Sequence, residues 1–332
     1  MKECYDWLIN INSLKFENKS VLLVGAGNIA KHHITALMNM NIDDITIISN
    51  SNKNLSIFPN TSKIKFLYSG FEKNLPLVEQ KDLMIIATPI PLLHNVANFA
   101  IDHNQNNILI EKPGSLYSED LLSLEQKINS QTVKIAYNRL VYPSLHKLKK
   151  LIQEDGGISS CRFTITEWTD KINLSNNIIS VYQKWGISNS LHLISMVFEL
   201  IGMPKEIHSE QHSKLEWHNS GSIFVGSGIT DKSIPFSYHS DWKSGGRWGI
   251  EIFTEKNSYL LMPLEKLYMC PKNDTKWTEI PLYPAFPNVK SGLAEQIAIM
   301  LTDTQIKSEL TSLKNAVDLI KIAEKIFGYD NP

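Results

Sequence analysis

The sequence predicts an α/β fold, a doubly wound parallel sheet in the N-terminal part, followed by an α+β domain with an open, largely antiparallel sheet. Three observations carry this prediction. From residue 20 to residue 137, short apolar runs alternate with amphipathic stretches. A glycine turn joins the first run to the first amphipathic stretch, and after Tyr137 the helical signals thin out while strand-like runs gather over residues 205–281. Near-continuous apolar strands separated by helices belong to a parallel sheet covered on both faces, and right-handed crossovers wind such a sheet in both directions. At 332 residues the chain exceeds the ~250–300 at which a single core stops growing, so a second domain is expected.

Taken in order, Ser20–Val24 is an apolar strand, and Asn28–Met40 has helical spacing. Three more β-rich runs follow, Asp44–Ser49, Ile64–Tyr68 and Leu83–Thr88. A helix over Ile90–His103, a strand over Asn107–Glu111, a helix over Glu119–Asn129 and a strand over Val133–Tyr137 complete the first domain, set at residues 1–138. The second domain, 139–304, opens with a helix over Pro143–Glu154 that Gly156 and Gly157 stop. Cys161–Trp168 alternates polar and apolar residues, and Leu191–Ile201 has helical spacing ended by Gly202. Ser222–Gly226, Ile234–Trp242 and Trp248–Thr254 are strand-like. Leu293–Leu301 is a helix, and a last one over Leu310–Phe327, capped by Gly328, falls in a C-terminal segment of residues 305–332.

Composition narrows the function. With 34 acidic and 33 basic side chains the net charge is -1, which argues against a general nucleic-acid binder and against a surface-bound membrane protein. Cys4, Cys161 and Cys270 are far apart and form no CxxC, so neither a disulfide framework nor a zinc site is supported. His208 and His212 lack a third ligand, and no metal is expected. His32 and His33, on the first helix, are read as packing or surface residues. The N-terminus has no apolar core of a signal peptide, and Leu83–Leu93, with two prolines, falls short of the ~18 apolar residues of a membrane span, so a cytoplasmic protein is expected.

The turn Gly25-Ala26-Gly27-Asn28-Ile29-Ala30 follows a strand and opens a helix, the context in which GxGxxA cradles a dinucleotide. Gly25 permits the tight turn, Gly27 lets the backbone approach a pyrophosphate, and Asn28 and Ile29 open the helix whose N–H groups face it. An NAD enzyme usually carries an acid at the end of the second strand. Here stand Ser49, Asn50, Ser51 and Lys53, groups suited to a 2′-phosphate, so NADP is favoured over NAD.

Ala87-Thr88-Pro89, His94 and Glu111-Lys112-Pro113, in that order after the glycine turn, resemble the Gfo/Idh/MocA oxidoreductase family. The resemblance implies an N-terminal Rossmann domain in which Thr88, Pro89, His94, Glu111 and Lys112 lie at the cofactor, with a cis bond before Pro113 a candidate. It also implies a second-domain helix carrying a histidine, matched here by Ser188 to Ser195 with His192. Acids and a glycine that the family often has around that histidine are Ser188, Ser195 and Ser190 in this chain, so Lys112 and His192 carry over and an aspartate does not. Thr166-Glu167-Trp168, Trp185 to His192 and Gly246-Arg247-Trp248 also look like a branch associated with bacterial surface-sugar gene clusters.

The chemistry expected is hydride transfer to or from a hydroxyl or carbonyl of a sugar or nucleotide-sugar, with Lys112 polarising the oxygen and His192 moving the proton. Asn138, Arg139, Trp168, Trp185, Ser188, Asn189 and Arg247 are the substrate candidates. In isolation each has a plainer reading, a solvated lysine, a structural histidine, aromatic residues packed in a core. Two alternatives remain beside the main reading: a cofactor-binding regulator or scaffold without catalysis, and a reductase of an imine or unsaturated bond. The partner expected is a small molecule, with a homo-oligomer, dimer or tetramer, formed through the second sheet.

Overall fold

The two sheets predicted from sequence are both present in the computed structural model, which describes residues 7–8, 10–51, 58–59, 61–302 and 305–329. The first consists of β1 (Ser20–Val24), β2 (Asp44–Ile48), β3 (Ile64–Leu67), β4 (Leu83–Ile86), β5 (Asn107–Glu111) and β6 (Thr132–Ala136). All pairings are parallel, in the order β3-β2-β1-β4-β5-β6. The strands are apolar on both faces because both are covered: Val21, Leu22, Leu23, Met84, Ile85 and Leu109 are fully buried. The order reverses between β1 and β4, and ligands of such sheets sit in the crevice outside the carboxyl ends of the strands at that point.

Contacts between Cα atoms divide the chain into two compact units. The first holds Trp7–Val141 and, returning late in the chain, Pro284–Asp318. The returning helix Leu293–Leu301 packs on the helix Asn28–Asn39. Two amides tie it in: Asn107 Nδ2 donates to the Met300 carbonyl at 2.9 Å, and Asn138 Nδ2 to the Ser291 carbonyl at 2.9 Å. Residues 284–302, assigned from sequence to the second domain, therefore fall in the compact unit of the first sheet.

The second unit holds Tyr142–Tyr283 and the chain end from Leu319. Its sheet contains β7 (Ser160–Ile165), β8 (Pro204–His212), β9 (Ile223–Thr230), β10 (Pro235–Asp241), β11 (Trp248–Phe253), β12 (Asn257–Leu261), β13 (Tyr268–Pro271) and β14 (Thr278–Glu279). The order is β14-β13-β12-β11-β7-β10-β9-β8, antiparallel throughout except for the parallel pair β7–β10. The helix Leu191–Ile201 packs on β7 and β11, burying Leu193, Ile194, Met196 and Val197. Phe163 of β7 meets Phe198 of that helix edge-on at 6.2 Å and Tyr238 of β10 at 5.3 Å, an aromatic seam between helix and sheet.

Two local departures from the predicted elements matter for function. The alternation over Cys161–Trp168 predicts one strand, but β7 stops at Ile165, which releases Thr166, Glu167 and Trp168 from the ladder. A π-type turn, Gly186–Ser190, precedes the helix Leu191–Ile201, and nothing in the periodicity marks it. No helix of the described residues is long and apolar enough to cross a membrane.

Candidate active site

In the first unit the two turn glycines do different work. Gly25 has φ +114°, and a Cβ built on it would stand 2.4 Å from the Ala87 carbonyl oxygen, so a bare α-carbon is what lets the end of β1 pass the end of β4. Gly27 caps the helix Asn28–Asn39 with an ordinary φ of -88°, and a Cβ there would meet nothing within 4 Å. Folding does not need that glycine; its bare α-carbon leaves space before a helix N-terminus, where the free N–H groups of the first turn are placed to receive an anion. Ala30 beneath it is fully buried, as close packing of helix on strand requires. At the end of β4, Thr88 Oγ1 is buried with no hydrogen-bond partner among the described residues, and Pro89 caps the helix Ile90–Asp102. Space that a side chain would fill before a helix N-terminus, with an unsatisfied hydroxyl at the end of the neighbouring strand, fits a dinucleotide.

The tip of β2 carries no acid. Ser49 Oγ donates to the Ser51 carbonyl at 2.8 Å, and Asn50 and Ser51 are exposed. Lys53 lies outside the described residues.

Lys112 follows β5, and its bond to Pro113 is cis. Glu111, just before it, is tied down: its Oε1 lies 2.7 Å from His33 Nε2, with the histidine fully buried and the carboxylate 12% exposed. His33, expected to be a packing or surface residue, is a packing residue that also holds the carboxylate of the strand end preceding Lys112. The available signal was its place in the stripe Ala30, His33, Ile34, Leu37, an imidazole at i+3 on the buried face of an otherwise apolar helix. His94 Nε2 bonds Ser123 Oγ at 3.1 Å, joining two helices. Asn138 is buried and committed to Ser291, and Arg139 lies in the helical turn Asn138–Val141.

The second unit holds an open cleft of about 290 Å³ lined by Glu167, Trp168, Lys171, Asn173, Tyr182, Trp185, Asn189 and Arg247 among others. Strand pairing builds it. In the antiparallel β7–β11 register Trp248 faces Ile165, so the residues leaving β7, Glu167 and Trp168, meet those entering β11, Gly246 and Arg247. Trp168 Nε1 donates to the Gly246 carbonyl at 2.7 Å.

Glu167 is 2% exposed and its carboxylate is saturated. Oε1 accepts from Ser190 Oγ at 2.7 Å, Asn189 Nδ2 at 3.0 Å and Trp248 Nε1 at 3.1 Å. Oε2 accepts from Arg247 NH1 at 2.7 Å and again from Asn189 at 2.9 Å. A buried carboxylate that accepts five hydrogen bonds from four groups, one of them a guanidinium counter-charge, is a structural anchor rather than a proton carrier. It fixes the guanidinium between two indoles, 4.8 Å from the Trp168 centroid and 4.3 Å from that of Trp248. Half-buried His192 stands beside them, its ring 6.3 Å from that of Trp248. The cleft thus collects Trp168, Trp185, Asn189 and Arg247 of the substrate candidates next to the candidate proton carrier.

The serines of the histidine helix are accounted for separately. Ser188, a substrate candidate, is 3% exposed, donates to the Val181 carbonyl at 3.0 Å and does not line the cleft. Ser190 anchors Glu167, and Ser195 Oγ donates to the His192 carbonyl at 3.0 Å. Lys171, which sequence reasoning missed, stands 4.4 Å from the Trp168 ring centroid. A lysine in a polar loop carries no sequence signal of its own. No group of three or more His, Cys, Asp or Glu that could hold a metal occurs among the described residues.

Residues 19–139 match the model of the Gfo/Idh/MocA group, an oxidoreductase family with an NAD-binding Rossmann fold. A shikimate dehydrogenase (NADP(+)) of Prochlorococcus marinus (strain MIT 9515) is 30% identical over 101 residues, 29% of this chain, and the match spans 35% of that relative's length. Among solved structures, a UDP-N-acetylglucosamine 3-dehydrogenase from Acidithiobacillus ferrooxidans superposes with a TM-score of 0.70 at 13% identity, covering 93% of this chain and 97% of that one. A levoglucosan dehydrogenase in complex with NADH does so with a TM-score of 0.71 at 17% identity, covering 93% and 95%. At these identities the structural likeness shows the fold.

Proposed function

We propose that the chain, whose residues 19–139 match the model of the Gfo/Idh/MocA oxidoreductases, transfers a hydride between a nicotinamide dinucleotide and a hydroxyl or carbonyl of a polyhydroxylated, sugar-like substrate. The observation that carries the reading is the open space in front of Gly27 at a helix N-terminus, in a glycine turn whose Gly25 packs against the Ala87–Thr88 backbone at the end of β4. The sugar and UDP-sugar dehydrogenases among the structural neighbours support the substrate class. The acid-free tip of β2, Ser49 to Ser51, supports NADP over NAD. The resemblance of Thr166–Trp168 and Gly246–Trp248 to enzymes of surface-sugar gene clusters supports a substrate destined for surface polysaccharide.

When bound, the nicotinamide supplies the hydride acceptor or donor. The N–H groups of the first helical turn hold the pyrophosphate, with Gly27 permitting the approach. Lys112, on a strand end stiffened by the Glu111–His33 pair, stabilises negative charge on the substrate oxygen. His192 takes or returns the hydroxyl proton, a task an imidazole suits because its ring nitrogens can both donate and accept.

The test is a panel of sugars, sugar acids and nucleotide sugars with NADP⁺ and NAD⁺, followed at the nicotinamide absorbance. Lys112→Met is expected to abolish turnover with cofactor affinity changed only a few-fold, and His192→Gln to lower kcat by ~10²–10⁴. Cofactor binding without turnover across the panel would favour the regulator or scaffold instead.

A further inference from the structure

The charges around the cleft of the second unit do not cancel. Its lining carries one carboxylate, Glu167, and two cations, Lys171 and Arg247. Glu167 is matched by Arg247 alone. Lys171 has no carboxylate within 4.0 Å among the described residues, and its ammonium rests over the Trp168 ring, the ring Arg247 also touches. Arg247 uses NH1 on Glu167 and makes no other side-chain hydrogen bond among the described residues, so the rest of its donor fork is available at a side chain that is 33% exposed. Two cations on one indole with a single buried counter-ion leave a surplus positive charge at the wall of a concave site.

The neutral groups point the same way. Trp185, which lines the cleft, has its indole Nε1 buried without a hydrogen-bond partner among the described residues, a donor that a ligand acceptor would satisfy. Asn189 spends its Nδ2 on Glu167, leaving Oδ1 as an acceptor for a hydroxyl, and Trp168, 49% exposed, offers an indole face of the kind sugar rings stack on. The cleft, at about 290 Å³, lies at the low end of the ~300–1,000 Å³ of small-molecule sites, the size for a single sugar ring.

We propose that this cleft seats the anionic group of a monosaccharide-sized polyol, a sugar carboxylate or a sugar phosphate, on Arg247 and Lys171, with the polyol laid against Trp168 and Asn189. Arg247 contributes a planar fork pre-oriented by Glu167 and its two indole neighbours; Lys171 contributes a point charge. His192 lies one indole away from that fork: its ring is 6.3 Å from that of Trp248, whose centroid is 4.3 Å from the Arg247 guanidinium. The proposal rests on reading the chain as a polyol oxidoreductase and adds the charge of its substrate.

Binding tests it without turnover. The full chain is titrated with D-glucuronate, D-glucose 6-phosphate and D-glucose while the fluorescence of its tryptophans is followed. At least one acid is expected to bind about tenfold tighter than D-glucose, a margin that shrinks as NaCl is raised. Lys171→Met, at an exposed residue, is expected to cut that margin about threefold, and Arg247→Lys to cut it further by removing the fork. Preference for glucuronate identifies a carboxylate; preference for the 6-phosphate identifies a phosphate. D-glucose binding as tightly as both acids, no binding of either acid, or a margin that Lys171→Met leaves intact overturns the proposal. Acids that bind yet reduce no NADP⁺ or NAD⁺ leave the anion site standing and remove the oxidoreductase reading; turnover of neutral sugars without acid preference does the reverse.

Discussion

Gly25 and Gly27 are separated by one residue and by the kind of constraint each answers to. Gly25 is required by the chain itself, through its φ of +114° and the Ala87 oxygen that a Cβ would strike. Nothing in the chain requires Gly27, because a Cβ on it would meet no atom within 4 Å, and the proposed cofactor is what would use that space. Alanine at each position separates the two. Gly25→Ala is expected to cost about 1–3 kcal/mol of stability or more from backbone strain and the clash together. Gly27→Ala is expected to leave stability within about 1 kcal/mol of the parent, the usual scale of an N-cap change, and to weaken NADP⁺ binding at least about tenfold, a loss of 1.4 kcal/mol. Urea titration read beside cofactor titration checks both, and an alanine at 27 that binds NADP⁺ normally would remove the main support for the cradle. The same contrast explains what a sequence can disclose about single residues. The glycine pair is legible because its spacing is local. Glu167 is not, because its donors come from residues 189, 190, 247 and 248, and both the pairing of β7 with β11 and the π-type turn Gly186–Ser190 are needed to bring them together. Lys112 and His192 stood out only through the order of the family's motifs, since neither residue has distinctive neighbours.

Elements were legible where one periodicity ran from end to end. The first-sheet strands are apolar runs bounded by turns, and their predicted limits differ from the observed ones by a residue or two, as with Leu83–Ile86 inside the predicted Leu83–Thr88. The reading failed where tertiary bonds override the pattern. β7 stops at Ile165 although the alternation continues, because Glu167 is claimed by the histidine helix and Trp168 by the Gly246 carbonyl. The π-type turn Gly186–Ser190 is braced from the far end of the chain. The Gly186 N–H donates to Tyr329 Oη at 2.9 Å, and that oxygen is 2.6 Å from His218 Nε2, while His218 Nδ1 lies 2.7 Å from the Gly221 carbonyl. With Nδ1–H donating to the carbonyl, Nε2 accepts from the tyrosine, and the relay needs a neutral imidazole. Burial holds the His218 pKa down to about 4, below its ordinary 6.5. The unfolded chain therefore binds a proton at higher pH than the folded one. Stability contributed by the neutral ring is complete above about 6.5 and lost as pH falls toward 4, up to about 3 kcal/mol. His218→Phe is expected to be less stable at pH 7 by about 1–3 kcal/mol for the lost bond, and to flatten the fall between pH 6.5 and 4. Denaturation midpoints measured across that range decide it, and an equally steep fall in the variant would place the titration elsewhere.

For the whole chain, the N-terminal stretch that carries every cofactor-binding candidate is not a self-sufficient body. Pro284–Asp318 returns to it and supplies the helix Leu293–Leu301, all nine residues of which are buried. That helix covers Asn28–Asn39, the helix whose N-terminus faces the open space at Gly27. Residues 138 and 292 show how close the return is: Gly292 has φ +82°, and a Cβ on it would stand 2.0 Å from the Asn138 carbonyl oxygen. Thr311 adds a bridge to Ile135 of β6. Cutting the chain after residue 141 would uncover the apolar face of Asn28–Asn39 and strip partners from the Asn107 and Asn138 amides. Each large apolar side chain uncovered costs about 1.5–3 kcal/mol, against a total of only about 5–15 kcal/mol for a typical domain. Residues 1–141 produced alone are therefore expected to lack a cooperative thermal transition and to bind the dye ANS. The same residues joined by a flexible linker to 284–318 are expected to melt cooperatively and to gain stability with NADP⁺, by about 2.7 kcal/mol at a hundred times its Kd. If the shorter fragment melts as sharply as the joined one and responds equally to NADP⁺, the late segment is dispensable to the cradle, and the domain limits read from the linear sequence describe the cofactor-binding part better than the contacts do.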